Sequence, residues 1–317
     1  MIQPYALTPV TPLPGLAATF TTLSDGRVIE VWEGADFHSV SAQFYHLDGS
    51  ADGAAFTLIS GNDGVSKPFV AATGSGGFIV AYSGITPDYS TTYAATAVFD
   101  GSGTAAVSTS SLQSANTSVL SIAADQATGQ TVMIATVTGT KEVVFGNING
   151  TEGPATPLQP VPSPLGGFQT PYPGASVVEL AGGNYAVSFP MFDRSADQQT
   201  TSFEDWVDIY KADGSFWKSV EAYHGDDHVN GGLPQIAALK DGGFAVTYQF
   251  STNAGVNVFN ADGSSRLAQP IVLSNAQRPF IAGLTNGLFA VEWGDASTPA
   301  GVHQQVYNPD GTPYGSP

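Results

Sequence analysis

The chain has no cysteine, which excludes disulfide frameworks, thiol catalysis and cysteine-ligated zinc. Positive charge is nearly as scarce: nine Lys and Arg stand against 27 Asp and Glu, for a net charge of −18. Such a surface repels phosphate backbones and anionic headgroups, so nucleic acid and membrane surfaces are not expected partners. Charge of either sign makes up only 11% of the residues, well below the usual quarter or so. No apolar run approaches the roughly 18–20 residues of a membrane span, so membrane insertion is not expected. The opening MIQPYALTPVTP lacks the basic and apolar regions of a signal peptide. No Gly-x-Ser-x-Gly elbow, Walker loop or His-Glu-x-x-His is present.

What the chain does have is a repeat. LKDGGFAVTY (239–248) has echoes at LTNGLFAVEW (284–293), LAGGNYAVSF (180–189), TGSGGFIVAY (73–82) and LSDGRVIEVW (23–32), with an eroded copy, ATGQTVMIAT (127–136). Each reads as a strand end, a glycine turn and an alternating strand, the pattern of a hairpin. A second column, FYHLDG, VFDGSG, FGNING, IYKADG, VFNADG and VYNPDG, puts Gly49, Gly103, Gly150, Gly214, Gly263 and Gly311 at turns that need positive φ. Another short apolar segment, such as FTLIS or PIVLS, follows each turn. Four short strands per unit, six units and about fifty residues per unit predict an all-β fold, a six-bladed β-propeller with four-stranded antiparallel blades. The blades are expected at approximately 14–60, 61–114, 115–164, 165–225, 226–275 and 276–317 of a single domain, 1–317. The last unit stops short of its fourth strand, and residues 2–8 resemble AQPIVLS (268–274), so the N-terminal strand is expected to close the ring and remove a free sheet edge.

These units resemble the propeller-type tandem repeats, Leu-x-Asp-Gly-Gly-Phe-x-Val-x-Trp followed by Asp-x-x-Gly, of large secreted bacterial RTX-type adhesin-like proteins. The likeness is best over 233–317 and poor in the third unit. It implies an extracellular or cell-surface setting and adhesion. The Gly-Gly-x-Gly-x-Asp nonapeptides that bind calcium in the RTX roll are absent, so calcium is not carried over from them.

In such a blade the glycine turns share one end. The loops between second and third strands, and the connections between blades, share the other. Those loops vary most: from the aromatic column to the turn glycine the gap runs from 14 residues (Thr136 to Gly150) to 25 (Phe189 to Gly214). Variable loops on a rigid scaffold are where function is expected. HGDDH (224–228) and the long insertion PMFDRSADQQTTSFEDW (190–206) both fall there and should be neighbours. His224, Asp226, Asp227 and His228 are candidate metal ligands, the carboxylates suiting calcium and the imidazoles another divalent metal, although Asp-Gly-rich loops also form plain turns. Asp193, Asp197, Asp205, Trp206 and Tyr223 are candidate ligand-binding residues: aromatic faces stack on sugar rings and carboxylates hold hydroxyls. Asp36, His38 and His303 form a second polar cluster with Asp295. Phe37, Tyr89 and Trp217 are further aromatics off the repeat pattern, whereas Trp32, Tyr82, Phe189, Tyr248 and Trp293 fit as wedges between blades. The acids of FEDWVD could serve glycoside hydrolysis, which needs two carboxylates, or could simply face solvent.

The expected function is a secreted or surface-associated binding protein, lectin- or adhesin-like, taking glycan or another neutral polar ligand through the variable loops. One alternative is a metal-dependent hydrolase or lyase using the acidic cluster of 193–228, with the metal activating water. Another is a protein-interaction module of a larger adhesin. No cofactor is demanded by the sequence; calcium or another divalent metal is the one it could hold.

Overall fold

The computed structural model describes residues 18–74, 76–112, 117–137, 140–147, 151–159, 161, 165–166, 168–171, 174–197, 199–225, 234–284, 286–295 and 301–315. Regular structure among them is β only, in six antiparallel sheets. The first sheet holds β1 (Ala18–Thr22), β2 (Val28–Glu33), β3 (Ser39–Tyr45) and β4 (Phe56–Ser60). The second holds β5 (Gly64–Ala72), β6 (Phe78–Ile85), β7 (Thr92–Phe99) and β8 (Ala105–Leu112). The third holds β9 (Thr117–Ala124), β10 (Gln130–Val137), β11 (Thr140–Asn147) and β12 (Thr151–Pro157). The fourth holds β13 (Phe168–Pro171), β14 (Ser176–Glu179), β15 (Tyr185–Arg194), β16 (Thr201–Tyr210) and β17 (Phe216–Gly225). The fifth holds β18 (Gln235–Ala238), β19 (Phe244–Phe250), β20 (Asn253–Phe259) and β21 (Ile271–Leu273), and the sixth β22 (Ala276–Gly283), β23 (Phe289–Asp295) and β24 (Val302–Tyr307).

Within every sheet but the fourth, successive strands pair in chain order, as a meander of hairpins requires. The turns carry the glycines that the repeat predicts: Gly26, Gly76, Gly129, Gly183, Gly242 and Gly287 in one column, and Gly49, Gly103, Gly214, Gly263 and Gly311 in the other, all have positive φ. An L side chain is strained in that region, which is why these positions alone survive through otherwise divergent units.

The chain divides into two compact units, 1–157 and 158–317, with three sheets each. In the first unit one core, with Ile29, Val31, Phe44, Phe78, Val80 and Phe99, joins the first and second sheets, and another, with Ile79, Val119, Ile122 and Met133, joins the second and third. In the second unit Leu180, Val207, Ile209, Phe244 and Val246 join the fourth sheet to the fifth, and Leu239, Val256, Val258, Phe289 and Val291 join the fifth to the sixth. Both faces of a middle sheet are thus buried, so β6 reads as a continuous apolar run. Each buried Phe or Ile contributes about 1.5–3 kcal/mol. Tyr82, Phe189 and Tyr248, from the aromatic column, are 6%, 1% and 1% exposed, which makes them packing side chains.

One expectation is modified. The fourth sheet has five strands rather than four, because its first position is split: β14 pairs with 185–188 and β13 with 191–194 of β15. The ten-residue β15 outruns any one short partner, so two are used. The sixth sheet has three strands among the described residues, and the proposed closing strand 2–8 lies outside them. The third sheet, whose copy of the repeat is the most eroded, has four strands of seven or eight residues.

Candidate functional site at the loop end of the fourth and fifth sheets

The insertion of the fourth unit is not an irregular loop. It lengthens β15, β16 and β17 to ten residues each and leaves a short turn at 195–200. Asp197 caps that turn, accepting from the Ser195 hydroxyl at 2.5 Å and the Gln199 N–H at 3.1 Å, and it is exposed. HGDDH begins as the end of β17: His224 lies opposite Glu204, Tyr223 opposite Asp205 and Gly225 opposite Phe203. Asp226, Asp227 and His228 lie outside the described residues. Among the described residues no group of three or more His, Asp or Glu side chains is placed to hold a metal ion.

Residues opposite one another on paired strands share a face. One face of the fourth sheet carries Asp193, Ser202, Glu204, Trp206, Asp208 and Tyr210, and its acids are buried: Asp193 and Asp208 are 0% exposed and Glu204 1%. Burying a carboxylate is costly unless its oxygens find donors. Asp208 accepts from the Ser219 hydroxyl (2.5 Å), the Gln159 N–H (3.0 Å) and the Tyr210 hydroxyl (3.5 Å). Asp193 accepts from the Leu165 N–H at 3.0 Å. The two aspartates therefore pin the connection that enters the fourth sheet onto its face. Glu204 accepts from Ser202 and from the indole N–H of Trp206, both at 3.0 Å. Desolvation raises the Glu204 carboxyl above its ordinary value and pushes that of Asp208 up to about 6. Nδ1 of His224, at the surface, lies 3.7 Å from Glu204 and 3.3 Å from Glu221.

The opposite face, turned to the fifth sheet, carries Arg194, Phe192, Phe203, Asp205 and Tyr223. Tyr223 stacks on Tyr248 (centroids 4.7 Å apart) and on Phe250 (5.6 Å). Phe192 packs against Phe203 at 5.1 Å, with the Arg194 guanidinium 5.5 Å from the Phe192 ring and its Nε without a hydrogen-bond partner. Tyr223, Phe250, Phe192 and Phe203 are all half-buried. They make an aromatic floor open to solvent at the loop end, backed by Asp205, which is 5% exposed and whose charge contributes to raising the Tyr248 hydroxyl, after burial itself.

Several expected ligand contacts are corrected by this arrangement. Trp206 is 8% exposed and bonded to Glu204, so it is a core side chain rather than a platform. Asp193 and Asp205 are buried beneath the surface, because the alternation of their strands turns them into packed faces. Tyr223, Asp197 and His224 do reach solvent. The acids of FEDWVD do not face solvent. Phe192, Phe203 and Phe250 were missed; a signal existed, since Phe192 and Phe203 flank a hairpin turn on strands longer than the repeat needs and Phe250 stands at the end of its strand beside another.

The other candidates belong to the first and sixth sheets. In the first sheet Asp36 accepts from Ser39 (2.7 Å) and the His38 N–H (3.1 Å), and His38 Nδ1 lies 3.0 Å from the Asp63 carbonyl. In the sixth, His303 stacks on Trp293 at 5.8 Å with Nε2 4.0 Å from Asp295.

No protein-family model matches the sequence, and no curated protein matches it. Solved structures do resemble it. An α-L-arabinanase of Penicillium chrysogenum complexed with arabinobiose aligns with a TM-score of 0.59 and 13% identity over 94% of each chain. A NanB sialidase of Streptococcus pneumoniae aligns at 0.53 and 11%, covering 93% of this chain and 68% of that one. The Dos1 propeller aligns at 0.51 and 10%, covering 94% and 69%. At these identities the likeness is one of fold: the six antiparallel sheets are those of the β-propeller class.

Proposed function

We propose that the protein binds carbohydrate, as a secreted or surface-associated propeller, through the loop end of the fourth and fifth sheets. The observation that carries this reading is the half-buried ring floor of Tyr223, Phe250, Phe192 and Phe203, with Arg194 on the same face of the sheet. Apolar ring faces take the C–H face of a sugar, while the Arg194 guanidinium offers donors for its hydroxyls. The net charge of −18 favours a neutral ligand over a polyanion. The carbohydrate-active proteins among the fold neighbours are consistent with this and equally with a hydrolase. Burial of Asp193, Glu204 and Asp208 speaks against those carboxylates as a catalytic pair. The six sheets are read as blades of one ring, with residues 2–8 as the missing strand of the sixth.

A glycan array run with calcium and again with EDTA tests the reading. Binding is expected in both buffers and should weaken at least tenfold in Tyr223→Ala, the ring at the centre of the floor. Binding that EDTA and Asp226→Ala both abolish would transfer the site to a metal held by HGDDH. Absence of binding in both buffers would remove the reading.

A further inference from the structure

The repeat provides an internal comparison at its other end, where the glycine turns lie. Three residues after the turn glycines Gly49, Gly214 and Gly263 of the second column stand Asp52 in the first sheet, Trp217 in the fourth and Arg266 in the fifth. The residue before each bridges back, as Ala51 does to Tyr45 and Ser265 to Phe259, and Phe216 pairs with Tyr210 in the same way. In the fourth sheet the register shifts between Ile209 and Tyr210, so Trp217 is the extra residue of a β-bulge. A bulge re-aims the side chain it carries.

In the first and fifth sheets this corner is shut by an ion pair. Arg27 pairs with Asp25 at 2.7 Å and Asp52 at 3.6 Å, and donates to the Gly101 carbonyl of the second sheet. Arg266 forks onto Asp241 at 2.7 and 2.9 Å and donates to the Pro309 carbonyl of the sixth sheet. The fourth sheet has neither arginine nor aspartate at these places. Gly182 stands where Asp25 and Asp241 stand, Asn184 where Arg27 stands, and Trp217 where Asp52 and Arg266 stand. The corner is left open as a hollow of about 400 Å³ lined by Asn184, Lys211, Ala212, Asp213 and Trp217.

We propose that this hollow is a binding subsite for a neutral pyranose, with Trp217 as its stacking platform. Trp217 is 42% exposed, so its ring face is available to the C–H face of a sugar. Asn184 Oδ1 is held by the Ala212 N–H at 3.1 Å, which leaves its NH2 group to donate to a hydroxyl. Asp213 is held below its ordinary value first by the Ser215 side chain, then by the Ser215 N–H, which donates to it at 2.9 Å, and by the nearby Lys211, so it stays ionised as an acceptor. Lys211 adds a donor from the same turn. Ammonium and carboxylate side by side offset one another, which suits a ligand that both donates and accepts and carries no charge. The volume lies at the lower end of small-molecule pockets, about 300–1,000 Å³. This subsite does not rest on the loop-end reading; it lies at the opposite end of the fourth sheet, and either can fail alone.

The test is saturation-transfer NMR on the full chain with methyl β-galactoside, methyl α-mannoside, methyl β-glucoside and N-acetylglucosamine, each titrated to tens of millimolar. At least one should bind with a millimolar Kd, and Trp217→Ala should weaken it tenfold or more. Trp217→Phe, which keeps a ring, should stay within about threefold, and each comparison is repeated in a Tyr223→Ala background so that binding at the loop end does not mask it. Trp217 is a surface residue, so a folded Trp217→Ala protein is expected, and its circular dichroism and Tm check that. Equal Kd for the parent and Trp217→Ala, or silence from the whole panel, overturns the proposal.

Discussion

Asp208 shows what a single buried charge does to this protein. Its carboxylate is fully buried and receives three neutral donors, from Ser219, Gln159 and Tyr210, yet desolvation still carries its pKa from an ordinary 3.8 up to about 6. A folded-state value above the unfolded one means that the folded chain holds this proton more tightly. The associated stability is fully present below about pH 4 and is lost as pH rises through about 6. The span corresponds to about 3 kcal/mol at most. Asp208→Asn keeps an acceptor for the Gln159 N–H and removes the charge. It is expected to match the parent near pH 4 and to melt a few degrees higher at pH 7.5, as read by thermal denaturation at both pH values. A variant less stable at pH 7.5 than the parent would show that the ionised form is the better hydrogen-bond partner.

At the scale of elements, cross-strand glycine–tyrosine pairs recur. Gly255 of β20 lies opposite Tyr248 of β19, and Gly84 of β6 lies opposite Tyr93 of β7. A methyl group at Gly255 would sit 2.4 Å from the Tyr248 ring, and one at Gly84 would sit 2.2 Å from that of Tyr93. These glycines are required by a ring lying across the neighbouring strand, not by turn conformation. Tyr248 in turn supports Tyr223, the centre of the aromatic floor. Gly255→Ala is therefore expected to destabilise by about 1–3 kcal/mol, the range for overpacking, and to weaken glycan binding as the floor shifts. Urea denaturation reads the first effect and the same array the second.

The hairpins were legible in the sequence because their turns need positive φ, a demand few residues meet, so Gly26, Gly214 and Gly242 stand out in otherwise divergent units. The fourth unit was harder to read. Its acids suggested an exposed loop because burial of Glu204 and Asp208 depends on Ser202, Trp206 and Ser219, whose approach is set by strand pairing. The alternation Ser202, Glu204, Trp206, Asp208, Tyr210 was visible, but a polar stripe of period two reads by default as a solvent face. The Trp217 hollow was hidden for another reason: it exists by the loss of an arginine–aspartate pair that only the folded first and fifth sheets reveal.

For the whole molecule, two populations of carboxylate pull stability in opposite directions with pH. Turn aspartates such as Asp25, Asp88, Asp100, Asp241 and Asp262 are held below their ordinary value, chiefly by side-chain hydrogen bonds from Arg27, Thr86, Ser102, Arg266 and Ser264 in turn, with Asp88 at about 2. Their contribution is present above about pH 4 and disappears as pH falls through the folded values. Asp208 and Glu204, raised by burial, contribute below about pH 4 and lose that contribution as pH rises, for Asp208 through about 6. The net charge of −18 adds a repulsion that grows over the same upward range as the remaining carboxylates ionise. All three effects place the maximum of thermal stability on the acid side of neutrality, between about pH 4 and 6. Salt separates them. Screening weakens the long-range repulsion but leaves the buried carboxylates nearly untouched. Raising NaCl from 20 mM to 500 mM should therefore lift Tm at pH 7.5 more than at pH 5, without removing the difference between parent and Asp208→Asn at pH 7.5. A Tm maximum at pH 7 or above would show that Asp208 and Glu204 cost no stability as they ionise, and a salt effect equal at both pH values would show that net charge is not what the acid side relieves.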